Sequence, residues 1–257
     1  MTTTIRNWRW RSPPCRRWRS RHRGMAFPAR NRGREGRPAF PRSSRDGRMK
    51  LHYFQGSCAL APHIALEWAG ADYELAEMKR SQTRAPEFLA KNPAGKVPVL
   101  ELDDGTCVSQ VNAVLQYIAE TWPAAGLGPE SNDGGSTDSR HAMQRWLSHF
   151  NGDVHTSFTP YFMTHRYADS DAAKAEVKAH AAGEVSFQLG VIEDHMAGRD
   201  WMLGDARSIL DPYLFVFTVW AGFMPDRLNA FPNLKAFNKR MKEDPGVHNA
   251  LKMQGMA

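Results

Sequence analysis

From residue 49 onward, apolar positions fall into short alternating runs and longer runs spaced by three and four. Residues 50–54, Lys-Leu-His-Tyr-Phe, predict a short strand, and Gln55-Gly56-Ser57 a turn. Residues 59–69 predict a helix with Leu60, Ile64, Ala65 and Trp68 on one face, and Gly70 stands where a C-terminal cap belongs. Residues 72–77 alternate polar and apolar, as a half-buried strand does. A short helix over 85–91 stops at Asn92-Pro93, because the residue before proline avoids the helical region. Val97–Glu101 and Thr106–Ser109 flank Asp103-Asp104-Gly105 and predict a hairpin. A helical period returns over 110–121 through Val111, Val114, Leu115 and Ile118. The predicted order is β-α-β-α-β-β-α.

Trp122-Pro123 ends that run, and beyond it strand signals disappear. Pro, Gly, Ser, Asn and Asp dominate up to residue 137. Helical periods follow over 138–150, 172–197, 209–221 and 231–242. The division is therefore an α/β domain over 49–125, a linker over 126–137 and an all-α domain over 138–257.

Charge sets the first 48 residues apart. They hold 15 arginines, no lysine and only Glu35 and Asp46 as acids, a net +13; the other 209 residues carry 19 basic against 25 acidic side chains, a net −6. The overall +7 thus belongs to the leader, and the rest gives no reason to bind nucleic acid. The leader shows no lasting apolar period despite Trp8, Trp10 and Trp18, and its dense like charge opposes compaction. It reads as a disordered Arg-rich arm, with Met49 as the working start; a nucleic-acid arm or a targeting peptide are the competing readings. No apolar stretch is long enough for a membrane helix. Cys15, Cys58 and Cys107 are too few and too far apart for a disulfide framework or a zinc site, so no metal is predicted and a reducing, cytoplasmic setting is.

Few residues can carry chemistry. Cys58 follows a strand and a turn and opens a helix, where backbone N–H groups lower a thiol pKa. Ala61 stands at the C-x-x-C position, so Cys58 lacks an internal partner and can pair only with an external thiol. A cis Val97-Pro98 bond would turn the Val97 backbone outward to an extended ligand. Ser109-Gln110-Val111-Asn112 lies at a helix start, with backbone N–H groups suited to a carboxylate or merely capped by Ser109. His155 can exchange a proton or a hydrogen bond with a bound thiol or carboxylate. Ser208-Ile-Leu-Asp211 fits a structural capping box.

In this order the elements resemble a cytosolic glutathione transferase, closest to the bacterial beta class, from Met49 to about residue 250. The markers are Gly56-Ser57-Cys58-Ala59-Leu60-Ala61-Pro62-His63, Asn92-Pro93-Ala94-Gly95-Lys96-Val97-Pro98, Ala113-Val114-Leu115-Gln116-Tyr117-Ile118, His155 with Phe158, Pro160 and Phe162, and Ser208-Ile209-Leu210-Asp211. The resemblance implies a thioredoxin-like first domain, a helical second domain and a two-fold homodimer. By the same likeness Cys58 and His155 are the catalytic pair. Cys58 lies beside the glutathione sulfur, Val97 ahead of cis-Pro98 pairs with the tripeptide backbone, Gln110 and Val111 meet the γ-glutamyl group, and Tyr53 and Ser57 are near neighbours. The chain departs from the beta class at Gln110, Val111 and Thr156, and Thr83 with Arg84 stands where one basic residue belongs.

These features imply a cytoplasmic detoxification enzyme that joins glutathione, its co-substrate, to a hydrophobic electrophile. Trp146, Phe150, Phe158, Tyr161 and Phe162 are the expected apolar pocket. Two other readings use the same residues: a glutathione-dependent thiol–disulfide reductase with Cys58 as nucleophile, and a non-catalytic ligand-binding protein of the same fold.

Overall fold

A computed structural model describes residues 48–129 and 137–257. The chain divides into two units, Met1–Phe40 and Pro41–Ala257, and every described residue belongs to the second. The predicted leader, apart from Arg48, and most of the predicted linker lie outside the described residues.

Strands β1 (Met49–Tyr53), β2 (Tyr73–Glu77), β3 (Val99–Glu101) and β4 (Cys107–Ser109) form one sheet in the order β2-β1-β3-β4. β1 runs parallel to β2 and antiparallel to β3, and β3 is antiparallel to β4. The parallel pair needs a crossover, which α1 (Leu60–Ala69) provides. Gly70 caps α1 in the left-handed conformation at φ 61°. Strand alternation sends neighbouring residues to opposite layers. Leu51 and Leu100 enter the main core with α1 and α3 (Val111–Thr121). Val99 enters a smaller cluster with Val97 and Phe88 of α2 (Pro86–Lys91), and the His52 ring meets Phe88 edge-on. The result is the predicted thioredoxin-like β-α-β-α-β-β-α arrangement. β3 is shorter than its predicted run, because Pro98 lacks the N–H a ladder uses.

The helical half contains α4 (Thr137–His149), a π-helical turn over Phe150–Val154, α5 (His155–Phe162), α6 (Asp171–Met196), α7 (Leu210–Gly222), α8 (Pro232–Glu243) and α9 (Pro245–Met253). Its centre is α7, whose Leu210, Tyr213, Leu214, Phe215 and Phe217 are completely buried. Each such apolar side chain contributes on the order of 1.5–3 kcal/mol by leaving water. The Ser208–Asp211 box is present: Ser208 N–H donates to Asp211 Oδ2 at 2.7 Å, Ser208 Oγ lies 3.1 Å from the same oxygen, and Met202 N–H donates to Oδ1 at 2.8 Å. Burial still outweighs these donors and pushes the Asp211 carboxyl up to about 6.

One core runs through both halves, and α1 sits within it. The C-terminal helix reaches back to α1. Trp68 Nε1 donates to Asp244 Oδ1 at 2.8 Å, Gln254 Nε2 meets His63 Nδ1 at 2.9 Å, and Asn249 Nδ2 donates to Glu67 at 2.6 Å. Asp244 also caps α9 through the N–H groups of Gly246 and Val247. A Cβ on Gly246 would lie 2.9 Å from the Trp68 ring, so only glycine lets α9 approach this closely.

Candidate active site

A cavity of about 930 Å³ opens between the two halves. The turn after β1 supplies Phe54, Gly56, Ser57 and Cys58 to its wall. The 3₁₀ turn Arg80–Arg84 supplies Arg80 and Arg84, and the loop before β3 supplies Lys96, Val97 and Pro98. Gln110 and Val111 come from the start of α3. Across the cleft stand Asn151, His155, Thr156, Phe158 and Phe162, then Met163, Arg166, Trp220 and Phe223.

The geometry near Val97 is that of an edge prepared for pairing. The Val97-Pro98 bond is cis. Val97 C=O accepts from Cys58 Sγ at 3.6 Å, and among the described residues nothing accepts from Val97 N–H. The loop folds this way because Gly95 is at φ 59°, where a Cβ would sit 2.8 Å from the Thr83 carbonyl. Asn92 fixes the same loop by donating to Lys96 O at 2.6 Å. Gln110, the residue before α3, has φ 75°, a conformation that costs a non-glycine residue about 1–3 kcal/mol and gathers at ligand clamps.

Cys58 differs from its sequence expectation. The helix begins at Leu60, two residues later, and the Sγ hydrogen bond goes to a carbonyl rather than coming from an N–H. A carbonyl acceptor favours the thiol over the thiolate. Burial pushes the thiol up to about 12, with its own backbone N–H and Lys96 offsetting only part of that. The side chain nonetheless borders the open cleft. His155 lies opposite, at the start of α5. Its Nδ1 is 2.8 Å from Tyr213 Oη, and burial, reinforced by Lys96, depresses its pKa to about 4. The imidazole is therefore neutral at physiological pH.

Of the predicted site residues, Ser57, Cys58, Val97, Pro98, Gln110, Val111 and His155 all border the one cavity. Tyr53 does not; it is buried at the end of β1, and the adjacent Phe54 takes the wall position. The expected apolar pocket also changes. Trp146 and Phe150 are core residues, with Phe150 fully buried, and Tyr161 is off the wall. Their spacing marked the inward face of their helices, which here is the core. Phe158 and Phe162 do line the cleft, stacked at 6.2 Å, and Met163, Trp220 and Phe223 complete the apolar side.

Sequence spacing gave no sign of Arg80, Lys96 or Trp220. Arg80 lies over the Phe54 ring at 4.9 Å and reaches Met163 Sδ at 3.7 Å, bridging the halves. Trp220 Nε1 donates to Gly56 O at 2.9 Å, so the helical half holds the turn that carries Cys58. Among the described residues no carboxylate borders the cavity, while Arg80, Arg84, Lys96 and Arg166 do, and none of the four has an ion-pair partner. Such a wall attracts an anionic ligand.

Residues 49–120 match the glutathione S-transferase N-terminal domain, and residues 152–254 match the glutathione S-transferase C-terminal domain. The chain is 35% identical over 208 residues to glutathione S-transferase GST-4.5 of Xanthomonas campestris, a match covering 81% of this chain and all of that one.

The chain belongs to the glutathione S-transferase family.

Solved structures agree with this. A sphingomonad glutathione S-transferase complexed with glutathione superposes with a TM-score of 0.71 at 38% identity, over 81% of this chain and all of that one. A bacterial beta class glutathione S-transferase from Sphingomonas chungbukensis gives 0.72 at 33%, with the same coverage. Within the family frame, the expected gap at Thr83 has a structural answer. Thr83 is buried and donates to Arg80 O at 2.8 Å, while Arg80 and Arg84 flank it on the cleft. Thr156 does line the cleft, but its hydroxyl is used locally, donating to Gly152 O at 2.6 Å. Among the described residues there is no cluster of metal-binding side chains and no helix long and apolar enough to cross a membrane.

Proposed function

We propose that this glutathione transferase binds glutathione along the thioredoxin-like wall and joins its sulfur to a hydrophobic electrophile held against Phe158, Phe162, Trp220 and Phe223. The observation that carries the reading is the unpaired Val97 N–H beside the Cys58–His155 gap, with an apolar wall opposite. The tripeptide cysteine pairs with the Val97 backbone. Its γ-glutamyl carboxylate meets the N–H groups at the start of α3 beside Gln110 and Val111. The cationic rim of Arg80, Arg84 and Lys96 suits the remaining carboxylate and the thiolate. Ser57 and Cys58 flank the sulfur, and His155 faces it from the helical half. In the reaction the glutathione thiol loses its proton to water and the thiolate forms a carbon–sulfur bond. In a substitution the leaving group departs with its bonding pair; in an addition the π pair shifts onto the neighbouring atom of the electrophile, which takes a proton back from water.

Cys58 borders the sulfur in this scheme without attacking the electrophile. A thiol–disulfide reductase needs a protein thiolate, and a thiol pushed up to about 12 supports that reading less. The family likeness supports a cytoplasmic homodimer, with the first domain of one subunit on the helical domain of the other.

The test is Cys58→Ala, assayed for glutathione binding, conjugation and disulfide reduction on one sample. Conjugation persists at a reduced rate and disulfide reduction disappears. Conjugation at background with glutathione binding intact would make Cys58 the nucleophile and replace this proposal with the reductase.

A further inference from the structure

Tyr213 belongs to the first turns of α7 and is completely buried. Among the described residues its hydroxyl has one hydrogen-bond partner, His155 Nδ1 at 2.8 Å. Two proton arrangements fit that distance. In one, Nδ1–H donates to the phenol oxygen, and the phenol proton is then buried with no acceptor. In the other, the phenol O–H donates to an unprotonated Nδ1, and both groups are satisfied. A buried hydroxyl proton without an acceptor costs about 1–3 kcal/mol, so the second arrangement wins. A neutral imidazole carries one ring proton, and with Nδ1 unprotonated it must sit on Nε2.

Among the described residues the Nε2 atom has no partner, and it is not closed off from the cleft. We propose that Tyr213 is a positioning residue that fixes the His155 tautomer, so that Nε2–H is offered as a hydrogen-bond donor to the sulfur of glutathione. This rests on the transferase reading above. It makes His155 a hydrogen-bond donor rather than a base: the thiol's proton leaves to water in the open cleft, and the thiolate accepts from Nε2–H.

The surroundings agree. From α7, Trp220 and Phe217 pack on the ring at 5.0 and 6.2 Å and bring no charge. From the first domain, Lys96 is the cation that faces it, and Cys58 is the near thiol. Among the described residues no carboxylate borders the cleft to pull a second proton onto the ring. The low basicity described above makes the ring a poor acceptor for a thiol proton and leaves its N–H free to donate.

Nitrogen-15 NMR of the full chain with labelled histidine reads the tautomer directly. At neutral pH the wild type shows an unprotonated Nδ1 and a protonated Nε2 for His155, assigned with His155→Gln. Tyr213→Phe keeps the ring and its burial but removes the donor, so the Nε2–H form loses its preference. The ultraviolet thiolate band of bound glutathione, titrated without any electrophile, then moves up by roughly one pH unit, with about tenfold less thiolate below the midpoint. A merely structural role would leave that midpoint in place. An Nδ1–H tautomer in the wild type overturns the proposal even if the variant does not fold. So does an unmoved midpoint in a folded Tyr213→Phe. An enzyme that binds glutathione yet conjugates nothing would sink the transferase reading while leaving both measurements legible.

Discussion

The protonation of Cys58 decides what kind of thiol chemistry this cleft supports, and alkylation by iodoacetamide measures it. Burial moves the thiol from an ordinary 9 to about 12. At pH 7.5 three units leave roughly a thousandfold less thiolate than an unperturbed cysteine holds. The more basic thiolate is the better nucleophile, and a Brønsted slope of about 0.4–0.5 returns roughly 15–30-fold of that loss. The net expectation is alkylation of Cys58 about 30–70 times slower than that of a free cysteine, before any steric hindrance. The rate at Cys58 is followed by peptide mass spectrometry on the full chain, with Cys58→Ala to assign it. Its pH profile should still be rising at pH 10. A midpoint below pH 8 would refute the reasoning, because a helix-terminus or cationic stabilisation would then exceed the cost of burial.

Asp211→Ala should lower stability by about 3–5 kcal/mol in urea unfolding, since it orphans the buried N–H groups of Met202 and Ser208; a loss under about 1 kcal/mol would mean the box can be satisfied by other groups. Acid should also destabilise the fold. His63 and His155 are held near pKa 4 by burial against about 6.5 in the unfolded chain, so between pH 6.5 and 4 the unfolded state binds protons that the native state refuses. Asp211 works the other way, since its raised carboxyl takes up a proton in the native state first, between about pH 6 and 3.8. Two groups against one leave a net loss on the order of 2–3 kcal/mol from pH 7.5 to 5, read as a lower urea midpoint; equal or greater stability at pH 5 would contradict it.

The first domain was largely legible in the sequence because its elements are short, strictly alternating or bounded by Gly70, Asn92-Pro93 and Asp103-Asp104-Gly105. Each boundary residue does in the structure what its local chemistry suggests. Two helices were not read. α5 carries Pro160 inside only eight residues, too few for a period to establish itself. α9 begins with Asp244-Pro245-Gly246, which looks like a breaker but is a cap, a first-turn proline and a close-approach glycine. The candidate residues on the thioredoxin-like wall mostly converge, since backbone features place them. What spacing could not show was long-range. The acceptor for Cys58 is 39 residues away in the chain, and the partner that orients its turn, Trp220, is 164 residues from Gly56. Trp146 and Phe150 were misassigned because helical periodicity distinguishes an inward face from an outward one but not a core from a cleft.

The contacts between α9 and α1 bear on how the chain is made. Helix α1 leaves the ribosome early, yet Trp68 and His63 receive their last neighbours from residues 244–254. At about 5–20 residues per second, some 10–35 seconds of translation separate the end of α1 from that closing segment. Through this interval the face of α1 that α9 covers stays open, with the Trp68 indole N–H and the His63 Nδ1 awaiting partners not yet synthesised. A nascent chain released just before Asp244 would therefore keep every residue of the glutathione wall and still present an unfinished surface to chaperones and proteases.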